Sequence, residues 1–297
     1  YEVEEIYPEE LAPECVAEYL SRLKADGYPW PLAEGDILIT ADTVVISRGR
    51  IMGKPHDRNE AIAMIEERHT DQLDYNFVAT LSHEFNANHR IVGGLKARVN
   101  RTEYYTTVKD LLGADYWVDT DKFAERDKGS NVIAYQNDVD YFNQYGHARV
   151  VKEGDKYSYD YYAHIRQAQL WAQYNYTIGG FNMSIGGEAG YTSIWRQGLW
   201  RKGLFPDGNA SYGDSKHLNF FTYKAKAAFS YRFSGAHSLS LNAFAMQDAP
   251  KFQSAFVSPR TRNQSNPGLK PEKIYSAELT YNLNLPYIKA RVSAYFT

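Results

Sequence analysis

The sequence has a single cysteine, Cys15, so no disulfide framework holds it together. No apolar run approaches the roughly 18 residues that a membrane helix needs, and the mean hydropathy is -0.55. Charge of one sign is missing too: 33 Lys+Arg against 36 Asp+Glu leave a net -3. That balance argues against a nucleic-acid partner recognised by bulk charge. The opening Tyr1-Glu2-Val3-Glu4-Glu5 has neither the basic nor the apolar region of a signal peptide. Averaged over the chain, these absences describe a soluble α/β protein. Tyrosine is what the chain has in abundance, with 25 residues. A helical enzyme rarely needs so many, whereas a sheet with one aqueous and one apolar face can use them.

The average conceals two textures. Residues 1–65 hold 13 acidic and 6 basic side chains, near -7, and residues 66–297 hold the other 23 and 27, near +4. The polar stretch Glu66-Glu67-Arg68-His69-Thr70-Asp71 lies at the change, with no Pro/Gly-rich linker. A composition break without a linker is unusual between domains that evolved together.

In the first segment, Pro13 is a good first helical residue, and Val16, Leu20 and Leu23 share one face of a helix over 14–25 that Gly27 ends. Asp36 to Thr40 reads as a short buried strand. Val44 to Met52 reads as a hairpin, and Asn59 to Ile65 starts a second amphipathic helix. This is a small, incomplete α/β segment, too short to close a core alone. Its polar residues include Glu5, Lys24, Asp42 and Lys54. Carboxylates can hold Mg²⁺ and orient a water, and lysines can neutralise phosphate oxygens. Equally, an Asp-Thr pair after a strand serves as a turn or cap, and Gly53-Lys54-Pro55 serves as a turn.

Four motifs at their spacings carry a resemblance. They are Glu5-Ile6-Tyr7-Pro8, Tyr19-Leu20-Ser21-Arg22-Leu23-Lys24-Ala25, Ile39-Thr40-Ala41-Asp42-Thr43-Val44-Val45 and Gly53-Lys54-Pro55. Together they resemble the Maf family of nucleoside triphosphate pyrophosphatases. The resemblance implies that Asp42 corresponds to the catalytic acid/base carboxylate. It implies that Glu5, Lys24 and Lys54 line the phosphate site with Thr43 beside them, and that a divalent cation, Mg²⁺, assists. It also implies a nucleotide substrate and a cytoplasmic location. It covers about residues 1–66. The family's Ser-x-Ser-Pro-Arg-Arg stretch and its later Ser-Gly-Arg and Gln have no counterpart here. An incomplete, inactive segment is therefore expected, with hydrolysis of nucleoside triphosphates to monophosphate and pyrophosphate as the alternative.

From Tyr75 the period changes to two. Apolar residues alternate with polar ones over eight stretches: 75–85, 90–100, 169–178, 181–191, 222–233, 239–245, 275–285 and 288–296. Short turns join them in pairs, around Asn86-Ala87-Asn88-His89, Gly179-Gly180, Ser234-Gly235-Ala236-His237 and Pro286-Tyr287. Long polar connections, roughly 102–163, 193–219 and 247–273, separate the pairs. Alternation of tight turns and long loops is the habit of an outer-membrane barrel, and a soluble antiparallel sheet rarely needs three loops that long. The expected fold class is thus mixed: the α/β segment followed by an antiparallel transmembrane-type β-barrel fragment of about eight strands over 72–297, with 67–71 as junction. With tight turns periplasmic, the last strand runs outward, as in an excerpt of a larger barrel whose edge strands are open. A soluble β-rich binding module is the remaining alternative.

The stretch Asn266-Pro267-Gly268-Leu269-Lys270-Pro271-Glu272, running into Tyr275-Ser276-Ala277-Glu278-Leu279, resembles the late-barrel signature of TonB-dependent outer-membrane receptors. Leu111 to Asp119 looks like an extracellular loop of their Bacteroidetes-type members. That resemblance implies nutrient uptake, an outer-membrane location and the TonB system as partner, with no cofactor for the barrel. It also implies a plug domain and TonB box, neither of which is recognisable here. The whole reads as a chimeric fragment of two proteins.

Among residues weighed singly, Asp119, Asp121 and Glu125 lack the EF-hand spacing for Ca²⁺. His83, His89, His147, His164, His217 and His237 show no metal-ligand spacing. Trp171 suits an interfacial aromatic belt, with Trp195 and Trp200 open between belt and ligand contact.

Overall fold

The structure, a computed structural model, describes residues 3–4, 6–8, 10–33, 36–42, 44–47, 50–52 and 64–297. By its contacts the chain divides into two units. The first is Tyr1–Arg68 with Thr106–Asp119 and Arg149–Tyr157; the second is His69–Tyr105, Thr120–Ala148 and Ser158–Thr297.

In the first unit, helix α1 spans Pro13–Asp26, with Pro13 in its first turn and Gly27 closing it through a bond from its N–H to the Leu23 carbonyl. Val16 and Leu20 are its buried face, as the helical spacing predicts. Strands β1 (Val45–Ser47) and β2 (Arg50–Met52) form the expected hairpin, Ser47 opposite Arg50. The strand expected over Asp36–Thr40 does not form. The stretch joins no ladder, and Ile37 and Ile39 are 84% and 85% exposed. Its short apolar run reads as a buried strand, but such a strand requires a sheet to enter. The helix expected from Asn59 falls mostly outside the described residues. Residues 106–157 of this unit contribute a small cluster of Val108, Val151 and Tyr157, packed by Leu111 and Trp117.

The second unit is built on an antiparallel sheet. Its long strands are β3 (Glu66–Asn86), β4 (His89–Val108), β7 (Lys156–Ile178), β8 (Phe181–Gly198), β10 (Leu218–Arg232), β11 (His237–Asp248), β12 (Glu272–Asn284) and β13 (Lys289–Phe296). They lie in the order β13-β12-β11-β10-β8-β7-β4-β3. Short strand β9 (Gly213–Asp214) pairs with β8, while β5 (Trp117–Val118) and β6 (Val150–Val151), which belong to the first unit, pair with each other. All eight expected strands are present. The first four run well beyond their expected limits, because their upper halves leave the strict apolar–polar alternation. Residues 67–71, read as a junction, lie within β3. Among the described residues no closed barrel is found: β3 and β13 stand at opposite ends of the sheet order.

Two-residue turns, Ala87-Asn88 and Gly179-Gly180, join β3 to β4 and β7 to β8. Gly179 takes φ +54°, a left-handed conformation that favours glycine. The pairing keeps one face apolar. Tyr174 lies opposite Ile185, which lies opposite Ala227, then Ala243, Ala277 and Phe296 across six strands. The neighbouring row is Tyr176, Met183, Phe229, Leu241, Leu279 and Ala294. A one-residue slip anywhere would turn such a row inside out. Among the described residues no helix is long and apolar enough to cross a membrane, which says nothing of a β-barrel.

Candidate functional site

Of the five residues that the Maf resemblance singles out, the described structure contains Lys24 and Asp42. Glu5, Thr43 and Lys54 lie outside the described residues. Lys24 sits in the last turn of α1, 18 residues before Asp42, and the two meet: Lys24 Nζ donates to Asp42 Oδ2 at 3.0 Å. The Asp42 side chain is 2% exposed and that of Lys24 25%. One turn earlier in α1, Ser21 Oγ donates to the Thr40 carbonyl at 2.9 Å, and Thr40 Oγ1 donates to the Ser21 carbonyl at 2.8 Å. This reciprocal pair fixes the extended segment against the helix and aims Asp42 at Lys24. A charge-assisted bond to a buried carboxylate holds one orientation. The second oxygen of such a group can accept a proton from water.

The described residues do not assemble a divalent-cation cage, since no group of three or more His, Cys, Asp or Glu gathers among them. Asp42 alone could give one carboxylate oxygen to Mg²⁺, which ordinarily takes one or two carboxylates and completes its shell with water and substrate phosphates. That falls short of a fitted site, and no step below passes through a metal.

The second unit carries polar groupings on the face opposite the apolar rows. Glu188 lies opposite Trp171 on β7 and Lys224 on β10. It accepts from Lys96 Nζ and Lys224 Nζ, each at 2.9 Å, and Lys96 lies 5.7 Å from the Trp171 ring centre. These residues, with Lys226, Gln173 and Phe244, line a cavity of about 280 Å³. Trp171 therefore belongs to the polar face in mid-strand, where a lipid-facing aromatic belt cannot use it. Its parity with Gln169 and Gln173 carried that information; proximity to an expected strand end masked it.

Above this level the sheet is bound to its loops. Arg196 is buried, with Nε donating to the Pro259 carbonyl at 2.5 Å and Nη1 to the Ser211 carbonyl at 2.8 Å and Asn263 Oδ1 at 2.5 Å. It covers the Tyr161 ring at 5.0 Å. Phe252, Ala255 and Phe256 join Tyr159, Tyr161, Ala163 and Ile194 in the main core, and Leu269 packs on it. Asn266 secures the Pro-bounded loop: its N–H donates to the Ala255 carbonyl at 2.9 Å and its Nδ2 to the Ser254 carbonyl at 2.7 Å. The three carboxylates weighed for Ca²⁺ have other duties. Asp119 pairs with Arg149 at 2.5 Å, Asp121 caps helix Lys122–Lys128, and Glu125 pairs with Lys122 at 3.0 Å. Trp195 is sandwiched between His164 and His217, ring centres at 4.6 and 4.3 Å. Burial holds His164 below the usual histidine range. Sequence reasoning did not single out Arg196, Glu188 or Lys96. Their parity with the polar residues of their strands, Arg98 beside Lys96 and Thr192 between Glu188 and Arg196, placed them on the polar face but did not mark them for a role.

Comparison with known proteins agrees with the motifs of the first segment. The family profile described as Maf-like protein matches residues 1–102. A dTTP/UTP pyrophosphatase of Bacteroides thetaiotaomicron is 45% identical over 64 residues, 22% of this chain and 33% of that protein. One from Porphyromonas gingivalis is 48% identical over 66 residues, 22% of this chain and 33% of its own. One from Flavobacterium johnsoniae is 40% identical over 65 residues, 22% and 34%. The chain thus spans about a third of the length of the curated relatives it matches. Its N-terminal portion is similar to nucleoside triphosphate pyrophosphatases of the Maf type.

Proposed function

We propose that the N-terminal segment performs Maf-type nucleotide chemistry, cleaving a pyrimidine nucleoside triphosphate such as dTTP or UTP to the monophosphate and pyrophosphate. The observation that carries this reading is the Lys24–Asp42 pair, formed inside the segment that resembles the dTTP/UTP pyrophosphatases. In it Asp42 takes the proton from a water whose oxygen attacks the α-phosphorus. The bond from that phosphorus to the bridging oxygen breaks, and pyrophosphate leaves with the electron pair. Lys24 positions the carboxylate, and Glu5, Thr43 and Lys54 complete the phosphate site as the resemblance implies. Pyrophosphate release from dTTP and UTP, lost on Asp42→Asn, supports the proposal. No release from the unsubstituted chain overturns it.

A second reading concerns residues 72–297, where a separate observation favours an outer-membrane barrel slice. On the apolar face, Tyr191, Phe221 and Tyr275 are exposed toward the loop ends, and Tyr231, Phe233 and Tyr281 toward the turn ends. Between these levels lie exposed Leu170, Ile185, Leu241 and Leu279. Ten residues separate Phe181 from Tyr191 on β8. That is roughly 33 Å of strand, or about 25 Å of height at a tilt near 40°, the height of the apolar band in such barrels. The histidines nearest the turns join the lower level: His89 packs tilted against Tyr176 with ring centres 4.6 Å apart, and His237 Nδ1 lies 2.6 Å from the Tyr281 hydroxyl. The late-barrel resemblance makes this slice receptor-like, with TonB as the expected partner. Flotation of the full chain with phosphatidylcholine vesicles tests it; a chain that stays in the aqueous layer contradicts it.

A further inference from the structure

The outward face carries a group of side chains beyond the loop-side aromatics that neither reading uses. On β8, Trp195 is four residues past Tyr191 and on the same face. Its partner across the ladder is His164, and Arg166 lies opposite Ser193, between the levels of Tyr191 and Trp195. The Arg166 guanidinium covers Trp195 at 5.0 Å, and that of Arg101 covers Tyr162 at 4.8 Å. Trp195 itself is 6% exposed, buried by its stacked neighbours, while Arg101, Arg166 and His217 are exposed. The acidic groups nearby are Glu103 and Asp160, which act on Tyr162, and Asp214, which acts on His164. Among the described residues neither arginine is in an ion pair with a carboxylate; each is held by a ring instead.

We propose that Arg101 and Arg166, braced on Tyr162 and Trp195, form a binding site for the phosphate headgroup of an anionic membrane lipid. The inference rests on the barrel reading and adds a ligand to it. Along the strand the patch runs roughly 7–20 Å past Tyr191, from Arg166 opposite Ser193 to Tyr162 opposite Gln197, or about 5–15 Å of height at a tilt near 40°, on the headgroup side of that aromatic level. An apolar band continuous with a cationic ledge matches a lipid's acyl chains and its phosphate together, whereas a free anion would use only the ledge. Stacking fixes each guanidinium plane and leaves its edge donors facing outward, so less freedom is lost when they fork onto a phosphate.

The test is flotation of the full chain with vesicles of phosphatidylcholine alone or mixed with phosphatidylglycerol, with inorganic phosphate as competitor. The expected result is flotation with both, stronger with the anionic mixture and unaffected by millimolar phosphate. That preference falls about thirtyfold in the Arg101→Ala/Arg166→Ala variant, from roughly a fivefold factor per arginine near a charged surface. The Arg101→Lys/Arg166→Lys variant keeps charge without the fork and recovers only part of it, which separates headgroup binding from loss of the fold. Equal flotation with both vesicles, or an unchanged preference in the alanine variant, overturns the lipid site and leaves the barrel. Loss of the preference on adding phosphate overturns a lipid source in favour of a free anion. No flotation with either vesicle overturns the site together with the barrel.

Discussion

Lys24 and Asp42, 18 residues apart, are joined by a 3.0 Å bond that places a nearly inaccessible carboxylate against the last turn of α1. The Ser21–Thr40 exchange one turn away makes this a two-point attachment of the 36–42 segment to the helix. Removing the ammonium while keeping the stem, in Lys24→Met, leaves the buried carboxylate short of a donor. The expected cost is about 1–3 kcal/mol. Amide exchange in residues 36–42 should accelerate in Lys24→Met and in Thr40→Val alike. Unchanged exchange in both would show that the segment is held by other contacts.

Arg196 is expected to be the most sensitive single position of the second unit. Its guanidinium joins β8 to residues 211, 259 and 263, two separate loops. Arg196→Met strands three acceptors, at a cost of ~3 kcal/mol or more. Limited proteolysis should then cut within 199–217 and 249–271 while the strands below stay intact. Cutting first at the tight turns would contradict this placement of the restraint.

Alkali gives a signed prediction. Burial pushes the Tyr161 hydroxyl up to about 12, and burial followed by the bond to Glu66 pushes Tyr157 up as well. A folded value above the unfolded one, near 10, means the neutral phenol is favoured in the native state. Its contribution is complete below pH 10 and is lost as pH rises from about 10 toward 12, ~2–3 kcal/mol for a two-unit shift. Absorbance titration should show a class of tyrosines ionising only with loss of native structure, and Tyr161→Phe should shrink it. One smooth titration near pH 10 would contradict it.

The two faces of the sheet should respond oppositely to charge. Ala225→Arg places a guanidinium in the middle of the apolar face, where a bilayer makes it cost about 2–4 kcal/mol. Ser184→Arg on the polar face should be near neutral. Unfolding midpoints in lipid vesicles and in detergent-free buffer compare them. Equal tolerance at both positions would favour a soluble sheet.

Much of the second unit was legible because strand period is local. The eight alternations and the turns between them are stated by the residues themselves, as at Gly179-Gly180. Their upper ends were not legible, because residues such as Tyr159, Tyr161 and Ile194 are covered by loops distant in sequence, and both parities there become buried. Trp171 was misplaced for the same kind of reason: nearness to a strand end outweighed its parity. In the first segment, helix α1 was legible from Pro13, Val16, Leu20 and Gly27. That 36–40 forms no strand was not, since a strand is a relation to a partner that no local pattern supplies. The Lys24–Asp42 contact was legible only through resemblance, as neither residue signals the other by spacing.

The most direct measurement is pyrophosphate release from dTTP and UTP by the purified full chain, run beside Asp42→Asn and Lys24→Met. The account predicts release by the unsubstituted chain, none with Asp42→Asn, and reduced turnover with Lys24→Met through a misplaced carboxylate. Equal release by the Asp42→Asn variant, or none by the unsubstituted chain, would contradict it.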